Sequence, residues 1–289
     1  MKFGNLNVGG KAQVCVVDTE KNEYWPLADL VPGFNSDMTE LVRDYKQIKP
    51  KLQTQGAGKT LDASQVLAPI PRPRRNIFCV GRNYHAHAKE LSSSVFKDND
   101  KDTKAWPIVF TKVPECVVGP NDHVKLPGAI SQQIDYEAEL AVIIGTGGKN
   151  ITKDKAMSHI FGYTIVNDVT ARDVQIRHQQ WDMGKSFDTF CPMGPWIVTA
   201  DELDGNNTRV RCWVNGDLRQ DGLTPDLIFD LSTLVETCSR GITLYPGDMI
   251  ATGTPAGVGM GMKPPQYLKT NDVVRIQIDG IGILENTFK

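Results

Sequence analysis

Glu137 and Glu139 are the residues whose type and spacing point most directly to chemistry. They stand two apart in Ile134-Asp135-Tyr136-Glu137-Ala138-Glu139-Leu140-Ala141-Val142-Ile143-Ile144-Gly145. Leu140 to Ile144 is apolar and rich in β-branched residues, which reads as a strand entering a core. Side chains at i and i+2 of a strand share a face. The two carboxylates therefore point the same way, and close like charges repel unless a cation lies between them. A hard divalent cation takes carboxylate oxygens. A solvated acidic edge is the commoner fate of such a pair, so other segments must decide.

A third acid comes from Gly162-Tyr163-Thr164-Ile165-Val166-Asn167-Asp168, a strand ending in a carboxylate. Thr170-Ala171-Arg172-Asp173 has capping-box spacing, with Asp in place of Glu, and predicts a helix start. Asp168 then lies at a strand's C-terminal end, where α/β and mixed folds place ligands. On that helix Arg172, Gln175 and Gln179 share a face. Three carboxylates leave about half of a six-coordinate shell open for water and substrate. Lys112 ends the strand Pro107–Lys112, and Lys185 lies in the loop Trp181–Asp188, exposed. Either could neutralise an anionic substrate. Thr254 offers a hydroxyl, and the glycines beside it, Gly253 among them, offer N–H groups.

A different chemistry is available from Asn76-Ile77-Phe78-Cys79-Val80, a short buried strand, and the helix expected after Gly81-Arg82-Asn83-Tyr84. On it His87 and Glu90 are three apart and share a face. A carboxylate beside an imidazole orients it and raises its pKa, as a general base requires. Taken alone, a surface His–Glu pair is the simpler account.

The elements that must position these groups form two units. Residues 1–70 read as a small domain, with a strand over Ala12–Val17 and helical spacing over Leu27–Tyr45. Pro69, Pro71 and Pro73 make a stiff connector, and residues 71–289 form the larger domain. Ser92–Trp106 is polar, without periodicity, and reads as a loop. Lys153–His159 and Leu227–Cys238 read as helices. The remainder is β-rich, with strands over Trp196–Thr199 and Thr208–Val214 and a turn then a strand over Leu244–Ala251. Hairpins are signalled at Asn215-Gly216 and Asp279-Gly280. Glycines 257, 259 and 261 lack the Gly-Lys-Ser/Thr ending of a phosphate loop and read as a loop that lets backbone approach a ligand. Trp106 and Trp181 are candidate pocket walls, with core packing an equal alternative.

Composition narrows the class. The chain has 289 residues, 40% hydrophobic and 23% charged, ordinary for a globular protein. A net charge of -2 argues against a nucleic-acid surface. No apolar run approaches a membrane span, and the N-terminus lacks a secretory h-region. The 6 cysteines are scattered singly with no C-x-x-C pair, which speaks against a zinc cluster and for a reducing compartment. A cytoplasmic protein is expected.

Six segments together resemble the fumarylacetoacetate hydrolase family: Cys79–Tyr84, Asp135–Val142, Asn167–Gln175, Gly184–Asp188, Val214–Gly216 and Thr252–Gly259. They fall in that family's order and spacing over about residues 74–289. The resemblance implies a mixed α/β fold, a β-rich roll in the C-terminal domain with a small β-containing N-terminal domain, usually as a homodimer. It implies a Mg2+ or Mn2+ site, with Ca2+ as a further candidate, at Glu137, Glu139 and Asp168. It implies a His87–Glu90 dyad on a lid helix and Lys185 as the active-site lysine. Gln175 and Thr254 match positions that contact an oxo acid, and Arg172 supports the site from behind. Arg82, Tyr84, Lys112 and Gly253 complete the substrate-binding set.

The mechanism expected on this basis is hydrolysis of a C–C bond in an acylpyruvate or related β-diketo acid, with His87 activating water and Lys185 stabilising the enolate. The alternative is decarboxylation of an oxaloacetate-type acid, or isomerisation of a hydroxymuconate-type dienol from aromatic catabolism, on the same metal. A binding protein with a degenerate site is disfavoured, since each matched position carries a competent residue.

Overall fold

The computed structural model describes residues 1–53, 56–92, 106–177 and 180–289. Most of the Ser92–Trp106 loop expectation, and Gln179, lie outside the described residues. The fold is mixed α/β. Its main sheet is organised on Ala138–Ile144, a strand buried at every position. Ile160–Asn167 pairs with it on one side and Met249–Ala251 on the other, both antiparallel. A strand enclosed on both faces needs an unbroken apolar run, and this one has it beyond Glu139.

Outward from this centre, Cys191–Thr199 pairs with Ile160–Asn167. On the other side Ile77–Gly81 runs parallel to Met249–Ala251, and Ile108–Lys112 closes that edge. A second sheet of 5 strands runs in the order Asp217–Leu223, Arg209–Val214, Val273–Ile278, Gly282–Phe288, His123–Val124. Both expected hairpins are present. At the first, Asn215 and Gly216 have φ of 52° and 88°, as its two-residue turn requires.

The N-terminal strands Lys2–Val8, Lys11–Asp18 and Glu23–Pro26 form a meander. It continues the main sheet through Lys2↔Val198 and Phe3↔Ile197. Tyr45 of the helix Met38–Ile48 packs edge-on against Phe161, with ring centroids 4.9 Å apart.

Three expected elements differ. Leu27–Tyr45 divides into Leu27–Leu30 and Met38–Ile48. Pro32-Gly33 interrupts the first, since proline cannot continue a helix, and Asp37 caps the second by accepting from Glu40 N at 2.9 Å. The helix expected from Leu227 begins at Leu231, where Asp230 caps it through Thr233 N at 2.8 Å. Thr170 does not cap a helix. Thr170–Ala171 forms a short ladder with Ile134–Asp135, and a single turn, Arg172–Gln175, follows. The Thr170 hydroxyl donates instead to Asp168 O at 2.9 Å.

Candidate metal centre

Two neighbouring strands bring the acids together. Glu139 lies opposite Val166 in the ladder, and Asp168 N donates to Glu137 O at 2.9 Å just beyond its end. Asn167 Oδ1 accepts from Glu137 N at 3.1 Å and fixes that end. One carboxylate oxygen from each of Glu137, Glu139 and Asp168 falls within 4.8 Å of the others, and all three residues are buried. This is an all-oxygen set for a hard cation.

Charge around the set is unevenly matched. Lys185 Nζ donates to Glu137 Oε2 at 2.8 Å and to Asp168 Oδ2 at 2.7 Å. Arg172 Nη1 reaches Glu137 Oε1 at 2.7 Å. Burial pushes the Glu137 carboxyl up, but Lys185 and Arg172 outweigh it and hold it at about 2. Glu139 is different. Its Oε2 accepts from Gly253 N at 2.9 Å. Burial, then Asp168 and Glu137, push its carboxyl well above the usual range. Four buried acids, counting Asp135, share this region with the buried cations Arg82, Lys112, Arg172 and Lys185. At Glu139 burial and the neighbouring carboxylates outweigh Lys185, and a divalent cation fits the donor set there.

Lys185 is 1% exposed, which corrects the expected exposed loop. Asp182–Lys185 is a helical turn packed under Arg172–Gln175. Gly184 makes this possible, since an added Cβ there would lie 2.5 Å from Gln175 N. Lys112, expected against substrate, is fully buried behind Asp168. Its ammonium donates to Asp168 Oδ1 at 2.8 Å, to Val169 O at 3.2 Å and to Lys185 O, so its three protons are committed. Burial disfavours the Lys112 charge, yet Asp168 keeps it above the usual lysine range. Lys112→Ala leaves a buried carboxylate and two carbonyls without that donor, and should cost about 3–5 kcal/mol in urea unfolding.

The cavity over the acids is walled by His87, Arg82, Arg172, Gln175, Lys185 and Thr254, with Val80, Phe110 and Trp181 as its apolar side. Trp181 is thus a wall, whereas Trp106 is half exposed and lies under Arg240. His87 is 3% exposed, and its Nδ1 is 3.0 Å from Glu90 Oε2. Thr254 Oγ1 donates to Ala138 O at 3.0 Å and accepts from Gln220 Nε2 at 2.7 Å. Gln175 Oε1 accepts from Arg172 Nη1 at 3.1 Å. Gly253, expected against substrate, gives its N–H to Glu139 Oε2. Tyr84 is buried outside the cavity wall. Burial and Glu139 push its phenol up.

The glycine loop differs from expectation. Its close approaches are to protein atoms, with an added Cβ lying 1.9 Å from Arg219 O at Gly257 and 2.2 Å from Glu90 Oε1 at Gly261. Sequence reasoning also missed Asp135 and Asn83. Asp135 Oδ2 accepts from Arg172 Nε at 2.9 Å. Asn83 Nδ2 donates to Thr252 O at 2.8 Å and so ties the start of the helix His85–Ser92 to the strand end that carries Gly253 and Thr254. Asp135 shares the parity of Glu137 and Glu139, a signal that was available.

Residues 76–289 match the model of the fumarylacetoacetate (FAA) hydrolase C-terminal family. Oxaloacetate tautomerase YisK of Bacillus subtilis is 49% identical over 228 residues, which span 78% of this chain and 74% of that protein. A fumarylacetoacetate hydrolase from psychrophilic Exiguobacterium antarcticum superposes with a TM-score of 0.88 at 41% identity, covering 100% of this chain and 99% of that one. Maleylpyruvate hydrolase from Sphingobium sp. SYK-6, in complex with manganese(II) and pyruvate, superposes with a TM-score of 0.80 at 29% identity, covering 100% and 98%. The chain belongs to the fumarylacetoacetate hydrolase family.

Proposed function

We propose that this protein is a divalent-cation-dependent isomerase that moves a proton on small 2-oxo acids, with enol–keto interconversion of oxaloacetate as its reaction. The observation that carries the reading is His87, buried on the wall of the same cavity as Glu137, Glu139 and Lys185. Tautomerisation needs one positioned acid–base group and a stabilised enolate, and no attacking water. The likeness to an oxaloacetate tautomerase supports the choice of substrate.

A Mg2+ or Mn2+ held by Glu137, Glu139 and Asp168 would supply charge neutralisation to an oxo-acid substrate. The chain supplies the rest. Arg82 and Arg172 on the wall suit a dianionic acid. Lys185 stabilises the negative oxygen at C2 as the enol proton passes to His87 Nε2. His87 Nε2 delivers a proton to C3 in the keto direction and removes it in the other. Glu90, a pure acceptor when ionised, keeps the Nδ1 proton in place and so leaves Nε2 free for transfer. Phe110 and Trp181 exclude water from one side.

Hydrolysis of an acylpyruvate, the expectation from the sequence, is the second reading. It is favoured by the likeness to maleylpyruvate hydrolase and by a dyad able to take a proton from water. Decarboxylation of keto oxaloacetate, which breaks the C3–C4 bond and leaves the enolate of pyruvate, is a side reaction that the same enolate-stabilising groups would allow. The same proposal places the chemistry in residues 71–289, with residues 1–70 as a small accessory domain, in a cytoplasmic homodimer. Among the described residues no helix is long and apolar enough to cross a membrane.

The test follows loss of enol absorbance with oxaloacetate, release of CO2, and cleavage of acetylpyruvate, each with Mn2+ and with EDTA. We expect cation-dependent acceleration of enol decay without matching CO2 release. Cleavage of acetylpyruvate with no effect on the enol would overturn the tautomerase reading in favour of the hydrolase.

A further inference from the structure

The glycines at 257, 259 and 261 are not used by the reaction, yet each is pressed against the chain. Glu90 reaches them from the lid helix. Its Oε1 accepts from Gly257 N at 3.1 Å while its Oε2 holds His87. Gly261 lies flush on the same carboxylate, where an added Cβ would sit 2.2 Å from Oε1 and 2.3 Å from Cδ. Gly257 has a φ of 108°, which disfavours other residues.

The loop's other side is anchored. Gly259 N and Met260 N donate to Asp135 Oδ1 and Oδ2 at 2.7 and 2.9 Å. Tyr136 Oη donates to Gly257 O at 2.8 Å. Asp135 also takes Arg172 Nε, and Arg172 grips Glu137. A continuous line of hydrogen bonds therefore runs from His87 through Glu90, the loop, Asp135 and Arg172 to a metal-site carboxylate.

We propose that the Gly257–Gly261 loop is the seat on which the lid helix docks, and that Gly261 is a positioning residue that sets Glu90 and, through it, His87. Asp135 ties this seat to Arg172, so that the dyad and the metal site keep one register. The inference rests on the proton-transfer reading for its effect on rate, but its structural content does not.

The test compares Gly261→Ala, Glu90→Ala and the double variant in the full-length protein. Two readouts are followed: kcat for enol decay at saturating Mn2+, and the His87 imidazole resonances by NMR. A misplacement of about 1 Å can cost about 10²-fold in rate. Gly261→Ala should therefore lower kcat as far as Glu90→Ala does, with Mn2+ affinity unchanged. The double variant, in which the new methyl has no carboxylate to displace, should fold and show no further loss. Gly261→Ala should shift the His87 resonances as Glu90→Ala does. Multiplying losses, or His87 resonances untouched by Gly261→Ala, would overturn the seat. If His87→Ala kept full turnover, the proton-transfer reading would fail, while the resonances would still decide the seat. Glu90→Asp, shorter by one methylene, should restore part of the loss in Gly261→Ala.

Discussion

Glu139→Gln is expected to abolish the rise in Tm caused by Mn2+ or Mg2+, to remove turnover, and to stabilise the metal-free protein at neutral and alkaline pH. The two halves of this result have one cause. Glu139 is 1% exposed, and its burial beside two other carboxylates outweighs the pull of Lys185 and of Gly253 N. Metal-free, its carboxyl is pushed well above the usual range by burial and by Asp168 and Glu137. The sign follows from linkage. Between the unfolded pKa, about 4.3, and the raised folded one, the native state holds a proton that the unfolded state has lost. Stability is therefore full below about pH 4.3 and falls as pH rises, by about 1.4 kcal/mol per pH unit, until the folded pKa is passed.

Glutamine keeps an acceptor for Gly253 N and cannot ionise, so that slope disappears. It also removes a metal ligand, and the loss in kcat should reach about 10³-fold or more. The check is thermal unfolding from pH 5 to 9 with EDTA and with Mn2+. In the wild type the stabilisation by Mn2+ should grow with pH, as Glu139 loses the proton that competes with the ion. Unchanged Mn2+ affinity in Glu139→Gln, measured by calorimetry, would show that these carboxylates are not the metal site.

The clustering of the three acids was readable because it depends on short-range rules. Glu137 and Glu139 follow strand parity, and Asp168 follows from a strand end. The layer behind the triad was not readable, because it depends on pairs far apart in sequence. Lys185 is 48 residues from Glu137, and Lys112 is 56 from Asp168. A lysine beside Gly184 or at a strand end looks solvent-facing until those partners are known. Asp135 offered the same parity signal, but its partners Arg172 and Gly259 also lie far off in sequence. Its strand, Ile134–Asp135, leaves the main sheet to pair with Thr170–Ala171. That same ladder defeated the capping reading of Thr170, where tertiary pairing outweighed a local motif. Local breakers placed in plain view, such as Pro32-Gly33 and Asp230, could have corrected both misjudged helix boundaries.

His87→Ala should lower kcat for enol decay by about 10²–10⁴-fold, the range for loss of a positioned acid–base group, and leave Mn2+ affinity intact. His87 contacts Glu90 and lines the cavity, but it is not one of the clustered acids. Glu90→Gln should show a smaller loss for a definite reason. Both Glu90 oxygens accept, one from His87 Nδ1 and one from Gly257 N at 3.1 Å. A glutamine has one oxygen for these two donors, so either the tautomer of His87 or the lid contact must yield. Exchange of the C3 hydrogens of oxaloacetate with D2O, followed by NMR, separates the two steps that His87 could serve. If His87→Ala stops exchange, the imidazole carries the carbon proton, and a tautomerase follows. If exchange persists while acetylpyruvate cleavage is lost, His87 acts on water, and the same site is a hydrolase.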